Sequence, residues 1–169
     1  YIRAEDSNVI SEMGNMSLVE LLLQGKTTTP IDLVKGLPGN DTAKAETIEN
    51  NLQHEIVKKM SSNRVYYGKL SEMLQKIITQ RKIEAMSYEE YLRQVVEMAE
   101  AILHPEDSGN YPDEIKDSAA RRALFDYFES DVDLTIDVDS AIRMSIEPAW
   151  KKNFQKQQRI RLAIYKKLL

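Results

Sequence analysis

The sequence contains no cysteine, which excludes disulfide frameworks, thiolate zinc sites and thiol nucleophiles. It also lacks any apolar stretch near the roughly 20 residues that a membrane-spanning helix needs. Charges at Arg3, Glu5 and Asp6 interrupt the region where a signal peptide would have its apolar core. These absences predict a soluble, intracellular protein without membrane contact. With 169 residues, the chain can bury about 68 to 70% of its unfolded surface in one domain, without disulfides or a metal.

Acidic residues are absent from one region of an otherwise acidic chain. The whole chain has 23 Lys or Arg and 27 Asp or Glu, a net charge of −4. Seven of the cations lie in residues 148–169, which contain no Asp or Glu, so the rest of the chain has 16 cations against 27 acids, or −11. Such a separation of charge indicates a nucleic-acid arm or a docking surface more than a uniform mixture does.

Catalytic and metal-binding motifs are also missing. The acidic stretch that begins at Asp131 lacks the central Gly of a calcium loop and has Ile142 where the bidentate Glu would stand. Pro-Asp at 112–113 and Glu-Ile-Lys at 114–116 have the residues of the two halves of a metal-dependent nuclease motif. In that motif the halves are separated in sequence so that two adjacent strands present ligands to one metal, whereas here they are directly adjacent. His54 and His104 have no second histidine at ligand spacing. The sequence therefore predicts no catalytic residue, no metal site and no cofactor within the chain.

What is present is helical periodicity over most of the chain. A Ser17–Glu20 capping pair predicts a short helix over residues 18–23, and a loop rich in Pro and Gly follows to residue 40. Later helices are predicted near residues 41–60, 64–86, 87–104, 118–129 and 148–169, and residues 1–15 are interpreted as linker. Ser87 with Glu90 forms a second capping pair, and a polar loop over residues 104–117 leads to a cap at Asp117 or Ser118. The apolar positions expected to face the core include Ala45, Ile48, Leu52, Ile56, Met60; Tyr66, Leu70, Met73, Leu74, Ile77, Ile78; Tyr88, Leu92, Val95, Val96, Ala99, Ile102, Leu103; Ala120, Leu124 and Tyr127 or Phe128.

The segment from Asp131 to Ile146 is ambiguous. Leu134, Ile136 and Val138 alternate as in a strand, but Leu134, Val138 and Ile142 also have helical spacing. A lone strand would leave its backbone groups unpaired, so we predict a helix. The sequence as a whole predicts a single compact all-α domain, residues 1–169, with its own hydrophobic core and about six to seven helices.

Two groups of cations are the positive candidates for binding. Arg121 and Arg122 lie on one predicted helix, and the others lie in the C-terminal segment, defined as residues 148–169, where Trp150, Phe154, Ile160 or Arg161, Ile164 and Leu168 form the inward stripe that anchors it. Three readings remain open: a solvated basic face, a sequence-independent grip on nucleic-acid phosphates, or docking to an acidic protein. The candidate phosphate-binding residues are Lys151, Lys152, Lys156, Arg159, Arg161, Lys166 and Lys167.

Several stretches, in order, resemble one protein family. They are "MSLVELL" followed by "GLPGN", "ETIENNLQHEI", "YYGKLSEML", "ARRALFDYF", and Trp-x-x-Asn with "RIRLAI" in the C-terminal segment. From Met16 onward the chain resembles the C-terminal helical region of the motor (R) subunit of bacterial type I restriction-modification enzymes. Tyr1 in place of an initiator Met fits a piece of a longer protein. Lys151 and Lys152 depart from the Trp-Arg-Gly-Asn expected there, which retains positive charge without the bidentate geometry of Arg.

The resemblance implies a bacterial, cytoplasmic parent subunit with nuclease and helicase-like motor domains, an ATP-dependent site-specific deoxyribonuclease and translocase that uses ATP and Mg²⁺. Its implied partners are the methyltransferase and specificity subunits, double-stranded DNA and the remainder of its own motor subunit. The chain itself would be a non-catalytic domain for assembly and DNA contact; the alternative is a structural docking domain that touches no DNA. Candidate subunit-interface residues that match the family's pattern are Glu49, Asn50, Asn51, Arg121, Arg122, Trp150 and Asn153.

Overall fold

The described part of the chain, in a computed structural model, consists of residue 37 and residues 39–169. All regular structure in these residues is helical, which confirms the all-α prediction. The eight α-helices are α1 (Asp41–Lys59), α2 (Arg64–Lys82), α3 (Tyr88–Leu103), α4 (Pro105–Ser108), α5 (Asp113–Lys116), α6 (Ala119–Tyr127), α7 (Val132–Ser145) and α8 (Phe154–Leu168), with a 3-10 turn at Trp150–Lys152 before α8. None of these helices is long and apolar enough to cross a membrane. The predicted helix over 18–23 lies outside the described residues.

Short polar side chains fix where the helices begin. Asn40, Ser87, Ser118 and Asp131 each accept a hydrogen bond from the backbone N–H three residues later, the pattern of an N-cap. The predicted cap at Ser87 and the predicted helix over 131–146 are therefore confirmed, and of the two predicted cap candidates Asp117 and Ser118, the cap is Ser118. The polar loop predicted between residues 104 and 117 is partly wrong, because it contains the single-turn helices α4 and α5.

The described helices form two compact units. The first comprises the described residues up to Ser61 together with Tyr67–Gly109, and the second comprises Ser62–Tyr66 and Asn110–Leu169. In the first unit, α1 packs against α3. Its buried apolar residues are Leu37, Ala45, Ile48, Leu52, Ile56, Tyr67, Leu70, Leu74, Ile77, Tyr91, Leu92, Val95, Met98, Ala99 and Ile102.

Tyrosine and lysine side chains connect the helices of the first unit through backbone carbonyls. The fully buried Tyr91 Oη donates to the Ala45 carbonyl at 3.2 Å. Lys59 Nζ donates to the Ile102 carbonyl at 3.1 Å, next to the C-terminus of α3. Burial raises the pKa of Tyr91, so its hydroxyl remains a donor. Tyr91, which the predicted stripe did not include, is thus both a core residue and a hydrogen-bonding link.

The second unit has a much smaller apolar core, in which α7 packs against α6 and α8. Ile115, Phe125, Val138 and Ile160 are its buried apolar residues among those described. The ring of Tyr111 meets Phe125 edge-on, with centroids 5.8 Å apart. Such a small core leaves a larger share of the unit's stability to polar contacts.

Several predicted core positions are wrong. Met73 is 51% exposed and Tyr127 is 70% exposed. Ala120 is also exposed, whereas Leu124 is half-buried and its neighbour Phe125 is buried. On α2, Leu70, Leu74 and Ile77 are buried as predicted, and Met73 lies at the edge of that buried face. On α6, the buried residue is Phe125 rather than Leu124, a shift of one residue or roughly 100° around the helix.

Candidate functional site

The C-terminal segment begins with a tight turn and continues as a helix. Ala149 adopts the left-handed conformation with φ of 60°, and the 3-10 turn Trp150–Lys152 follows it. Asn153 is extended and accepts a hydrogen bond from the Lys156 N–H at 3.1 Å, so it caps α8. The prediction of one helix over 148–169 is therefore wrong at its start. Asn153, a predicted interface residue, has its side chain committed to this cap.

Three of the seven cations of the segment pair with carboxylates from α7 and the loop after it. Glu147 binds Arg159 at 2.7 Å and Lys156 at 3.3 Å, and Asp137 binds Lys167 at 3.0 Å. Hydrogen bonds from Arg159 and then Lys156 lower the pKa of Glu147. Both acids precede residues 148–169 in the sequence. The segment taken by itself therefore contains cations without the carboxylates that pair with them. The net positive charge that it offers to a partner is correspondingly smaller.

The other four cations do not form a single line. Lys151 Nζ lies over the ring of Trp150, 5.9 Å from its centroid. Lys152, Arg161 and Lys166 are exposed and have no ion pair within residues 39–169. Five residues separate Arg161 from Lys166, which places them roughly 140° apart around α8. A straight phosphate-binding stripe along the helix is therefore not formed.

The helix α8 has apolar side chains on two opposite sides. Ile160 is only 8% exposed and is the buried residue of the helix, on the side that packs against α7. Phe154 is 69% exposed, Leu162 57% and Tyr165 63%. Positions 154, 162 and 165 lie within roughly 80° of arc, centred roughly opposite Ile160. We call these three residues the outward face of α8.

The predicted inward stripe of α8 is wrong at two positions. Phe154 and Leu168 were expected to anchor the helix, but Leu168 is 46% exposed and Phe154 belongs to the outward face. Ile160 is the buried anchor, and Ile164 and Trp150 are half-buried. The sequence carries two apolar stripes on this helix, and periodicity alone could not decide which one packs inward.

Most of the remaining interface candidates are committed to contacts within the fold. Glu49 is 6% exposed and binds the Arg81 guanidinium through both carboxylate oxygens, at 2.6 and 3.1 Å. This hydrogen-bonded pair raises the pKa of Arg81. Asn51 donates to the Thr47 carbonyl at 2.8 Å within α1, while Asn50 is exposed. The Glu-Asn-Asn stretch therefore contributes chiefly to the stability of the first unit.

The side chains of Arg121 and Arg122 also form hydrogen bonds within the fold. Arg121 Nε donates to Asp139 Oδ2 at 2.7 Å, and its Nη1 donates to the Glu114 carbonyl at 2.9 Å. Arg143 Nε also donates to Asp139, at 2.9 Å. Arg122 donates to the Lys116 carbonyl. Asp139 is only 3% exposed, whereas the side chains of Arg121 and Arg143 are 30% and 60% exposed, so this ion network joins one buried carboxylate to arginines that reach it from the surface.

An open groove of about 390 Å³ lies between α2 and α3 in the first unit. Its apolar wall includes Leu70, Met73, Ile77 and Met98, which explains where the exposed Met73 lies. At its rim, Arg93 pairs with Glu97 and Glu90, and the hydrogen bond from Arg93 lowers the pKa of Glu90 to about 2. No sequence pattern predicts this groove, because Met73 follows the periodicity of a core residue.

One cluster has the composition of a metal site. Ligand atoms of His104, Glu106 and Asp107 lie within 4.8 Å of one another. His104 Nδ1 is 3.5 Å from Glu106 Oε1, so a contact between these two side chains across the start of the single-turn helix α4 accounts for their proximity. The sequence analysis did not predict this group, because His104 has no second histidine at ligand spacing.

This chain matches no protein-family profile, no curated protein and no solved structure.

The Asp139 network leads to a prediction about pH. Burial opposes ionisation of Asp139, but hydrogen bonds from Arg143 and Arg121 outweigh it and hold its pKa below the ordinary value. Because the folded-state pKa is depressed, the stabilisation is complete above the unfolded-state pKa of about 3.9 and is lost as the pH falls through the folded-state value. We expect Asp139→Asn to lower the free energy of unfolding at pH 7 by about 2 to 3 kcal/mol, with a difference that shrinks below about pH 4.

Urea denaturation followed by circular dichroism at several pH values measures this difference. The matched control is Asp137→Asn on the same helix, whose carboxylate pairs with Lys167 at the surface and is 60% exposed. It should change stability much less, because exposed pairs contribute little. Equal effects of the two substitutions would show that the buried network is not a special source of stability.

Proposed function

We propose that this chain is a non-catalytic assembly module that binds a protein partner through the outward face of α8. The observation that carries the proposal is the pair of opposite apolar sides on one helix, of which the residues that the structure describes cover only one. Single exposed apolar residues are common on protein surfaces, but large apolar side chains grouped on one side indicate an interaction site. Burying each such side chain is worth about 1.5 to 3 kcal/mol.

The neighbouring features also favour assembly. The side chains of Glu49, Arg121 and Arg122, which the sequence offered as interface candidates, are bound within the fold. The outward face and the exposed cations of the C-terminal segment remain available on the described surface. Apolar side chains bordered by charged ones are typical of surfaces that bind other macromolecules.

The resemblance to the motor subunit of type I restriction-modification enzymes supplies a biological setting for this proposal. In that setting the partner belongs to the methyltransferase or specificity subunits, or to the remainder of the motor subunit. Nuclease activity, ATP hydrolysis and the Mg²⁺ requirement would reside in the other domains of the parent subunit, in the bacterial cytoplasm. The ordered sequence stretches that carry the resemblance support this setting.

Sequence-independent DNA contact is the second candidate function. It is favoured by Lys151, Lys152, Arg161 and Lys166, the cations of the C-terminal segment that have no carboxylate partner among the described residues. Lysine and arginine side chains can neutralise phosphates and release counterions. A purely structural docking domain would show no such binding.

The assembly proposal predicts the effect of one charge placed on the outward face. Leu162→Asp should weaken association with the methyltransferase and specificity subunits by roughly 10- to 100-fold, the equivalent of losing one buried leucine. Co-expression of the chain with those subunits, followed by size-exclusion chromatography, measures the association. Circular dichroism of the variant should show unchanged helicity, because Leu162 is 57% exposed.

Met144→Asp is the matched control for this experiment. Met144 is an 88% exposed apolar residue of α7, outside the outward face. It should leave association unchanged. A complex that tolerates Leu162→Asp as well as it tolerates the control would contradict the assembly proposal.

DNA contact predicts a characteristic salt dependence. Four phosphate-neutralising cations give a slope of about −3 to −4 in a plot of log affinity against log salt concentration, at about −0.9 per phosphate. Replacing Lys151, Lys152, Arg161 and Lys166 by Gln should bring this slope close to zero. Fluorescence anisotropy of a labelled duplex with the 169-residue chain measures it.

Gln at positions 156, 159 and 167 provides the control, because these cations already have carboxylate partners. That variant should lose affinity through its lower net charge but keep most of the slope. A slope that the fourfold replacement leaves unchanged would rule out DNA contact through those cations.

A further inference from the structure

We infer that the outward face of α8 receives an amphipathic α-helix with acidic flanks. The inference rests on the proposed assembly function and adds the chemistry of the partner. Three features of the C-terminal segment support it: the spacing of the apolar residues, the position of the unpaired cations and the lack of acids. Each of them restricts what can cover this face.

The spacing of the outward face matches a helical partner. Phe154, Leu162 and Tyr165 are separated by eight and three residues, and both intervals return to the same side of a helix. From Phe154 to Tyr165 the face extends for roughly 17 Å at 1.5 Å per residue, or about three turns. The exposed Gln158 lies between Phe154 and Leu162 on this side, so the apolar contact has two parts, Phe154 and the pair Leu162 and Tyr165. Apolar side chains on one side of a helix pack against the ridges of another helix.

The charges beside the face specify the flanks of that helix. Arg161 lies near one edge of the outward face, and Lys166 lies near the other edge, from their positions around α8. Neither has an ion pair among the residues that the structure describes. A partner helix with Glu or Asp on both sides of its apolar stripe would place opposite charges next to these cations.

A second copy of the chain fits this face poorly. Residues 148–169 contain seven cations and no acid. Two such helices packed face to face would bring Arg161 and Lys166 against the same positive residues in either direction. Like charges opposed across an interface disfavour the pairing.

DNA also fits the face poorly. The accessible surface of a duplex backbone is a row of phosphates, which needs cations rather than aromatic and aliphatic side chains. Phe154, Leu162 and Tyr165 would be left without apolar partners in that arrangement. The cations beside the face are better explained as a rim around an apolar contact.

Two designed helical peptides test this inference with the 169-residue chain. Both have one leucine stripe; the first has Glu on its flanks and the second has Lys. Fluorescence anisotropy of the labelled peptides should give at least tenfold tighter binding for the acidic peptide. Raising NaCl from about 0.05 to about 0.5 M should reduce that preference, because the screening length shortens. Leu162→Asp should weaken binding at least tenfold, and Met144→Asp should not.

Reversing the charges beside the outward face tests most specifically whether they select the charge of the peptide. The variant with Arg161→Glu and Lys166→Glu should bind the basic peptide more tightly than the acidic one. An acidic peptide with its leucines scattered around the helix is the control for general electrostatic attraction, and should bind at least tenfold more weakly than the patterned acidic peptide. Circular dichroism establishes that each variant retains its helices.

Several results would overturn the inference and leave the assembly proposal to its own test. Equal binding of acidic and basic peptides would show that the face does not select charge. Equal binding of the scattered peptide would show attraction without an apolar interface. A sedimenting dimer that Leu162→Asp dissociates would identify a second copy as the occupant. If neither patterned peptide binds, an acidic helix is not the occupant of the outward face. The assembly proposal is tested separately, and it fails only if the subunit association survives Leu162→Asp.

Discussion

The second unit depends on one buried carboxylate, that of Asp139. The unit buries few large apolar side chains, and Asp139 receives hydrogen bonds from Arg121 on α6 and Arg143 on α7. Arg121 also reaches the Glu114 carbonyl in α5. Three helices are thus connected through one ion network. Removing one member of such a network leaves a buried charge without its partner, which is far more costly than losing a surface ion pair.

This network is also connected to the outward face of α8. α8 packs against α7, the helix that carries Asp139, and Glu147 and Asp137 hold α8 through Arg159, Lys156 and Lys167. Those contacts fix the rotation of α8 and leave Phe154, Leu162 and Tyr165 on its other side. Of the seven cations predicted to bind DNA, three hold the helix in place and two, Arg161 and Lys166, border the apolar face. Lys151 and Lys152 lie in the 3-10 turn before α8.

The sequence predicts the helices of this chain better than it predicts their faces. Caps such as Ser87 and Ser118 define helix starts because a short polar side chain at that position satisfies a free backbone N–H. The buried face is harder to predict, because adjacent apolar residues such as Leu124 and Phe125 both fit a helical stripe. The candidate site was less predictable still. The carboxylates of Glu147 and Asp137 precede the basic segment, and the burial of Asp139 results from packing that no local pattern encodes.

The central claim is that the outward face of α8 is covered by a partner helix when the chain is assembled. Hydrogen–deuterium exchange compared between the isolated chain and the complex that we propose with the methyltransferase and specificity subunits tests this claim most directly. The claim predicts that the amides of α8 exchange more slowly in the complex, because a packed helix opens less often, while those of α1 keep their rates. Unchanged exchange in α8 on formation of a stable complex would contradict it.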